Sequence, residues 1–108
     1  VYEIRIDCDE QQKKGIEGFL GLSSDDSPDG WRLVIEEDSP KYINALENFV
    51  DLILTNLHLL NSLGIVQDNI TFWYLYEYDQ QCNMEFWPDI TKKIGDLGVV
   101  LCISCWEK

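Results

Sequence analysis

Residues 39–64, SPKYINALENFVDLILTNLHLLNSLG, decide how the rest of the chain is read. Tyr42, Leu46, Phe49, Ile53, Leu57, Leu60 and Leu63 recur at intervals of three or four, the period of a helix with one buried face. Ser39 suits an N-cap, and Pro40 suits the first helical position, where its missing N–H costs nothing. Gly64 suits a left-handed stop. A helix over this whole stretch has about 24 residues and runs to roughly 36 Å, long for so small a domain. Leu52, Leu54 and Leu59 fall off the main stripe, so a second face is available to another layer or another subunit. Asn44, Glu47, Asn48, Asp51, Asn56, His58 and Asn61 make the stretch too polar for a membrane span.

Strands flank this helix. Tyr2, Ile4 and Ile6 alternate with Glu3, Arg5 and Asp7, which predicts a strand with one buried face. Trp31, Leu33 and Ile35 repeat the pattern over 31–36. Ile70 to Tyr78, ITFWYLYEY, is apolar on both faces for most of its length and is expected at the centre of a sheet, beside a last strand over Val99 to Trp106. Between these two, Pro88 opens a short helix with Ile90, Ile94 and Leu97 on one face, and Gly98 closes it. Gln11 to Leu22 stays open: Ile16, Phe19 and Leu20 fit a helix, whereas Gly15, Gly18 and Gly21 weaken it in favour of a glycine-rich strand. Ser23 to Gly30 reads as a loop. The expectation is one α+β domain over residues 1–108. It has two layers, a four- or five-stranded mainly antiparallel sheet with one long and one short helix on one face.

Composition narrows function. Twenty acids against eight bases give a formal charge of −12 on 108 residues, beside an apolar content of 45% that marks a folded domain. Such a field repels nucleic acid and anionic membrane and attracts basic partners. No signal peptide is legible in the first twenty residues. Cys102-Ile-Ser-Cys105 has the spacing of a redox or zinc half-site, but residues three apart on a strand face opposite ways. With Cys8 and Cys82 they are expected as buried, reduced structural thiols, consistent with a cytoplasmic chain. Asp25, Asp26 and Asp29 do not follow a calcium loop. His58 is the sole histidine, on a helix and away from any acid–base partner in sequence. No phosphate loop or nucleophile elbow is present. Neither an enzyme nor a cofactor or metal is expected. The aromatic run Phe72 to Tyr78 lacks the Lys and Arg of a base-stacking platform, so core packing is its reading.

Gln81-Cys82-Asn83-Met84-Glu85-Phe86, then Pro88-Asp89-Ile90 and Leu97 to Cys105, resemble a bacterial family catalogued only as a domain of unknown function. Gly30-Trp31 and the long helix extend the likeness to about three quarters of the chain. Members of such small acidic families look like immunity proteins encoded beside polymorphic or contact-dependent toxins. The resemblance implies binding and neutralisation of a cognate basic toxin, plausibly a nuclease. On this reading the contact residues are Asp25, Asp26, Asp29, Trp31, Glu36, Glu37 and Asp38. A second surface comprises Glu77, Asp79 and Glu85, flanked by Tyr78 and Trp87. Three alternatives stand beside it. One is an acidic nucleic-acid mimic, and another is a small-ligand or enzymatic site drawing on Asn83, Glu85 and Cys102. The last is a homodimer through the off-stripe leucines.

Overall fold

The computed structural model describes residues 1–25 and 29–108. Strand β1 (Tyr2–Ile6) leads to helix α1 (Glu10–Leu20), then β2 (Trp31–Ile35), α2 (Ala45–Ser62), β3 (Ile70–Tyr78), α3 (Pro88–Leu97) and β4 (Val100–Glu107). A single 3₁₀ turn over Gln67–Asn69 feeds β3. The four strands lie in the order β2-β1-β3-β4. β1 is antiparallel to both neighbours, and β3 and β4 are parallel, joined through α3. The α+β expectation holds, with β3 central as its two apolar faces required.

Alternation assigns the faces. Ile4, Ile6, Trp31, Ile70 and Phe72 are almost wholly buried and share one core with Ile16, Phe49, Ile53, Leu60, Ile90 and Ile94 from the three helices. All helices therefore cover the same side of the sheet. The opposite face carries Glu3, Arg5, Arg32, Val34, Trp73, Leu75, Val100, Cys102 and Trp106, and none of these belongs to the core.

One open helix reading is decided and one is corrected. The stretch left open at 11–22 is helical over Glu10–Leu20, the third helix of the layer. Asp9 caps it by accepting from the Gln12 N–H at 2.7 Å, and the Gln12 side chain accepts from the Asp9 N–H at 2.9 Å. This reciprocal box offsets the weak glycines. Gly15 lets α1 close on Leu63, whose methyls lie 2.8 Å from where a Cβ would stand. The long helix starts at Ala45, six residues after Ser39. Residues 36–45 instead make successive tight turns, Ser39 N–H to Glu36 O, Tyr42 N–H to Ser39 O and Ala45 N–H to Tyr42 O. Tyr42 is held against Tyr2, ring centroids 5.0 Å apart, and that contact competes with a continuous helix. The C-terminal reading holds. Gly64 takes φ +85°, its N–H reaches Asn61 O, and Ile65 N–H reaches Leu60 O. This closes the helix end with Leu60 and Ile65 both fully buried.

The two outer edges differ. Along β2, Ser24 Oγ accepts from Arg32 N–H at 3.0 Å and a carboxylate oxygen of Asp25 accepts from Val34 N–H at 2.7 Å. Asp25 N–H in turn donates to Arg32 O at 2.7 Å. Among the described residues, no hydrogen bond reaches the outer edge of β4.

Candidate partner-binding surface

Topology gathers acids from distant parts of the chain. Tyr2 pairs with Ile35 on one side and Tyr74 on the other. The start of β1 is therefore level with the C-terminal end of β2 and with the middle of β3 and β4, which run on beyond it. Glu36, Glu37 and Asp38 follow β2 directly and are exposed. Glu77 is the penultimate residue of β3, on the open face with Trp73 and Leu75; Asp79 follows the strand, and Glu107 pairs with Tyr78. Glu85 precedes Phe86, whose ring meets Tyr74 edge-on at 5.9 Å. Two groups that the sequence offered as separate surfaces, Glu36–Asp38 and Glu77/Asp79/Glu85, thus share one end of the sheet.

An aromatic ladder lies on the helix side of this end. Tyr42 tilts on Tyr2 at 5.0 Å, Tyr2 stacks on Tyr74 at 4.6 Å, and Tyr74 stacks on Tyr76 at 5.8 Å. All four rings are half-buried, and Trp87 beside them is 72% exposed. Burial, then the Tyr74 phenol, then Glu47, push the Tyr2 hydroxyl up to about 12. Tyr42 is raised too, by burial first, then by its hydrogen bond to Tyr74 and by the nearby phenols and Glu37. The phenols therefore stay neutral in a field set by Glu37 and Glu47. The surface offers half-buried rings with hydroxyl tips, and Glu37 and Glu47 lie near enough to act on two of them.

The other sequence candidates lie elsewhere. Trp31 is 1% exposed and packs in the core, with its indole N–H donating to Leu22 O at 3.4 Å. It cannot touch a partner; position 31 starts a strand whose odd residues all face the helices. Asp25 is engaged in closing the β2 edge. Asp29 borders a hollow at the opposite end of the sheet with Arg5, Asp7, Asp68 and Trp73. Asp26 lies outside the described residues.

The open sheet face holds a group that sequence reasoning missed. Glu3 is 4% exposed although it points away from the helices. Arg5 Nε donates to it at 2.7 Å, Arg32 Nη1 lies 3.9 Å away, and the Arg5 guanidinium sits 4.0 Å over the Trp73 ring. Arg32 Nε is buried without a hydrogen-bond partner among the described residues. The Glu3–Arg5 alternation was legible as polar; its burial was not, because Arg32 comes from a distant strand.

The thiols are less buried than expected. Cys8, Cys82 and Cys102 are half-buried and Cys105 is exposed. Cys102 and Cys105 do face opposite ways, paired in register with Trp73 and Tyr76. The Cys82 thiol lies against Cys105, and burial followed by that contact raises its pKa. The small-ligand alternative needed Asn83, Glu85 and Cys102 together. Phe86 places that segment on the helix side, whereas Cys102 is on the open face. An apolar hollow of about 260 Å³ between β2 and α2 offers only Lys41 and Asn48 as polar lining. No group of three or more His, Cys, Asp or Glu among the described residues is placed to hold a metal. Nor is any described helix long and apolar enough to cross a membrane. His58 is exposed on α2. Comparison of the chain with protein-family models, with curated proteins and with solved structures gave no match in any of the three.

Proposed function

We propose that this domain is an immunity-type inhibitor, which binds a basic toxin through the acid-rimmed tyrosine end of its sheet. The observation that carries the reading is that Glu36, Glu37, Asp38, Glu77, Asp79 and Glu85 lie toward the same end of the sheet as the Tyr42–Tyr2–Tyr74–Tyr76 ladder, Glu77 on the open face and the rings on the helix face. A nuclease presents a basic cleft to phosphate. An acidic domain is steered to such a cleft by the same field and occludes it without any chemistry of its own. The half-buried rings supply contact area at low entropic cost, and Trp87 is the exposed anchor. The cytoplasm of the producing cell is where such an inhibitor would act.

The test is affinity capture from the native organism, eluted along a salt ladder, followed by an inhibition assay on the captured protein. The reading expects one basic protein, inhibited at defined stoichiometry. Joint reversal of Glu37 and Glu77 to Lys should weaken binding at least about tenfold, mainly through slower association. Reversal of Asp29, at the far end, should leave affinity nearly unchanged. Many basic proteins released together would indicate nucleic-acid mimicry. Indifference of a single partner to the Glu37 and Glu77 reversals would remove this surface from the mechanism.

A further inference from the structure

Among the described residues the outer edge of β4 is unpaired. The hydrogen bond from Lys108 N–H to Tyr78 O, at 2.7 Å, shows that even-numbered residues of β4 turn their backbone groups toward β3. The reciprocal bonds between Val1 and Leu75 agree, since they commit the odd residues of β3 to β1. Leu101, Ile103 and Cys105 therefore direct their N–H and C=O groups outward, spaced symmetrically about Ile103. The exposed apolar side chains of this strand share that centre: Val100 is 63% exposed, Ile103 42% and Trp106 47%. From Val100 to Trp106 the strand has no charge, proline or bulge, the usual devices that blunt an edge. The other edge of the same sheet is closed by Ser24 and Asp25.

We infer that β4 is the seam of a two-fold homodimer, in which two copies pair their β4 strands antiparallel about Ile103 and join into one continuous sheet. In this register Ile103 exchanges both backbone hydrogen bonds with Ile103 of the second copy. Leu101 does the same with Cys105 of that copy, so every outward group of the three residues is satisfied. The alternate pairs are the ones whose side chains approach most closely. They set Val100 against Trp106 and Cys102 against Ser104 of the second copy. One operation thus covers all three exposed apolar side chains of the strand, the self-complementarity a two-fold interface requires. Charge favours a second copy over a foreign basic protein here. Two chains of charge −12 repel, and this uncharged strand is where they can meet with least repulsion. The inference does not rest on the proposed inhibitor role.

Sedimentation velocity over a range of protein and salt concentrations tests it directly. A dimer is expected, strengthened by salt as the like charges are screened. Ile103→Lys places two ammonium groups against each other on the two-fold axis. It should weaken the dimer at least about tenfold while leaving the circular dichroism spectrum of the monomer unchanged. Ser104→Cys reads the register independently. Under oxidised glutathione, which takes up the two electrons and leaves as two thiols, the introduced thiol should bond to Cys102 of the second copy. Peptide mapping would then show that intermolecular link. A wild-type protein that stays monomeric at every concentration and salt would overturn the inference. So would a dimer that survives Ile103→Lys intact, or links that map to another pair.

Discussion

Phe72 and Trp73 are adjacent in β3 yet occupy different environments. Phe72 is fully buried, 5.5 Å from Phe49 across the helix layer. Trp73 lies half-buried on the open face under the Arg5 guanidinium, in a row that also holds Glu3 and Arg32. One face of the sheet is stabilised by excluding water. The other is stabilised by a buried carboxylate shared between two guanidinium groups, one of them stacked on an indole. A domain with a single helix layer can leave half of its sheet uncovered in this way only if that half tolerates solvent.

Truncating one side chain from each face measures the contrast. Phe72→Ala should cost about 3–5 kcal/mol of unfolding free energy, because neighbouring helices collapse only partly into the cavity. Glu3→Ala should cost about 1–2 kcal/mol. It leaves Arg5 and Arg32 facing one another, but Arg5 is 41% exposed and solvent screens much of the loss. Glu3→Gln, which keeps shape and one acceptor, should recover part of it. Trp73→Ala should cost only about 1 kcal/mol, the stacked cation together with partial burial. Urea unfolding of the four variants settles the order. Equal losses for Phe72→Ala and Trp73→Ala would mean that the open face is covered in solution.

The smallest expected effect lies at the tyrosine end. The Tyr2 phenol rises from 10.0 to about 12 on folding, so the folded state holds its proton more tightly than the unfolded chain does. That contribution is complete below the unfolded value and is lost as pH climbs through the folded one. Stability should therefore decline between pH 10 and about 12, and Tyr2→Phe should flatten the decline. A wild-type midpoint constant across that window would show the hydroxyl to be freely solvated. Spectrophotometric titration should show Tyr2 and Tyr42 ionising late.

Local pattern carried the reading furthest where one element's own periodicity decides its fate. The period of two in Tyr2–Ile6 and Trp31–Ile35, the doubly apolar Ile70–Tyr78 and the Pro88…Gly98 helix all came through with their buried faces intact. The Asp9/Gln12 capping box is also written in the sequence, and it outweighs the glycines of the stretch 11–22. The false start of α2 at Ser39 had no local remedy. Ser-Pro is a sound helix opening, and only the approach of Tyr2 to Tyr42 from another strand makes turns the better solution. Trp31 failed as a contact residue for a related reason. Its neighbours in sequence are acidic loop residues, but its strand register turns the ring inward.

By itself the sequence determined the charge of −12, the strands and their inward faces, and the end of the long helix at Gly64, since each depends on residues within a turn or two of one another. Tertiary structure alone decided the order β2-β1-β3-β4. With that order it placed Glu36–Asp38 toward the same end as Glu77, Asp79 and Glu85, buried Glu3 between two arginines, and left β4 rather than β2 with an unpaired edge among the described residues. Each of these joins residues from separate strands. Their encounter is fixed by pairing register and crossover, which no local periodicity encodes.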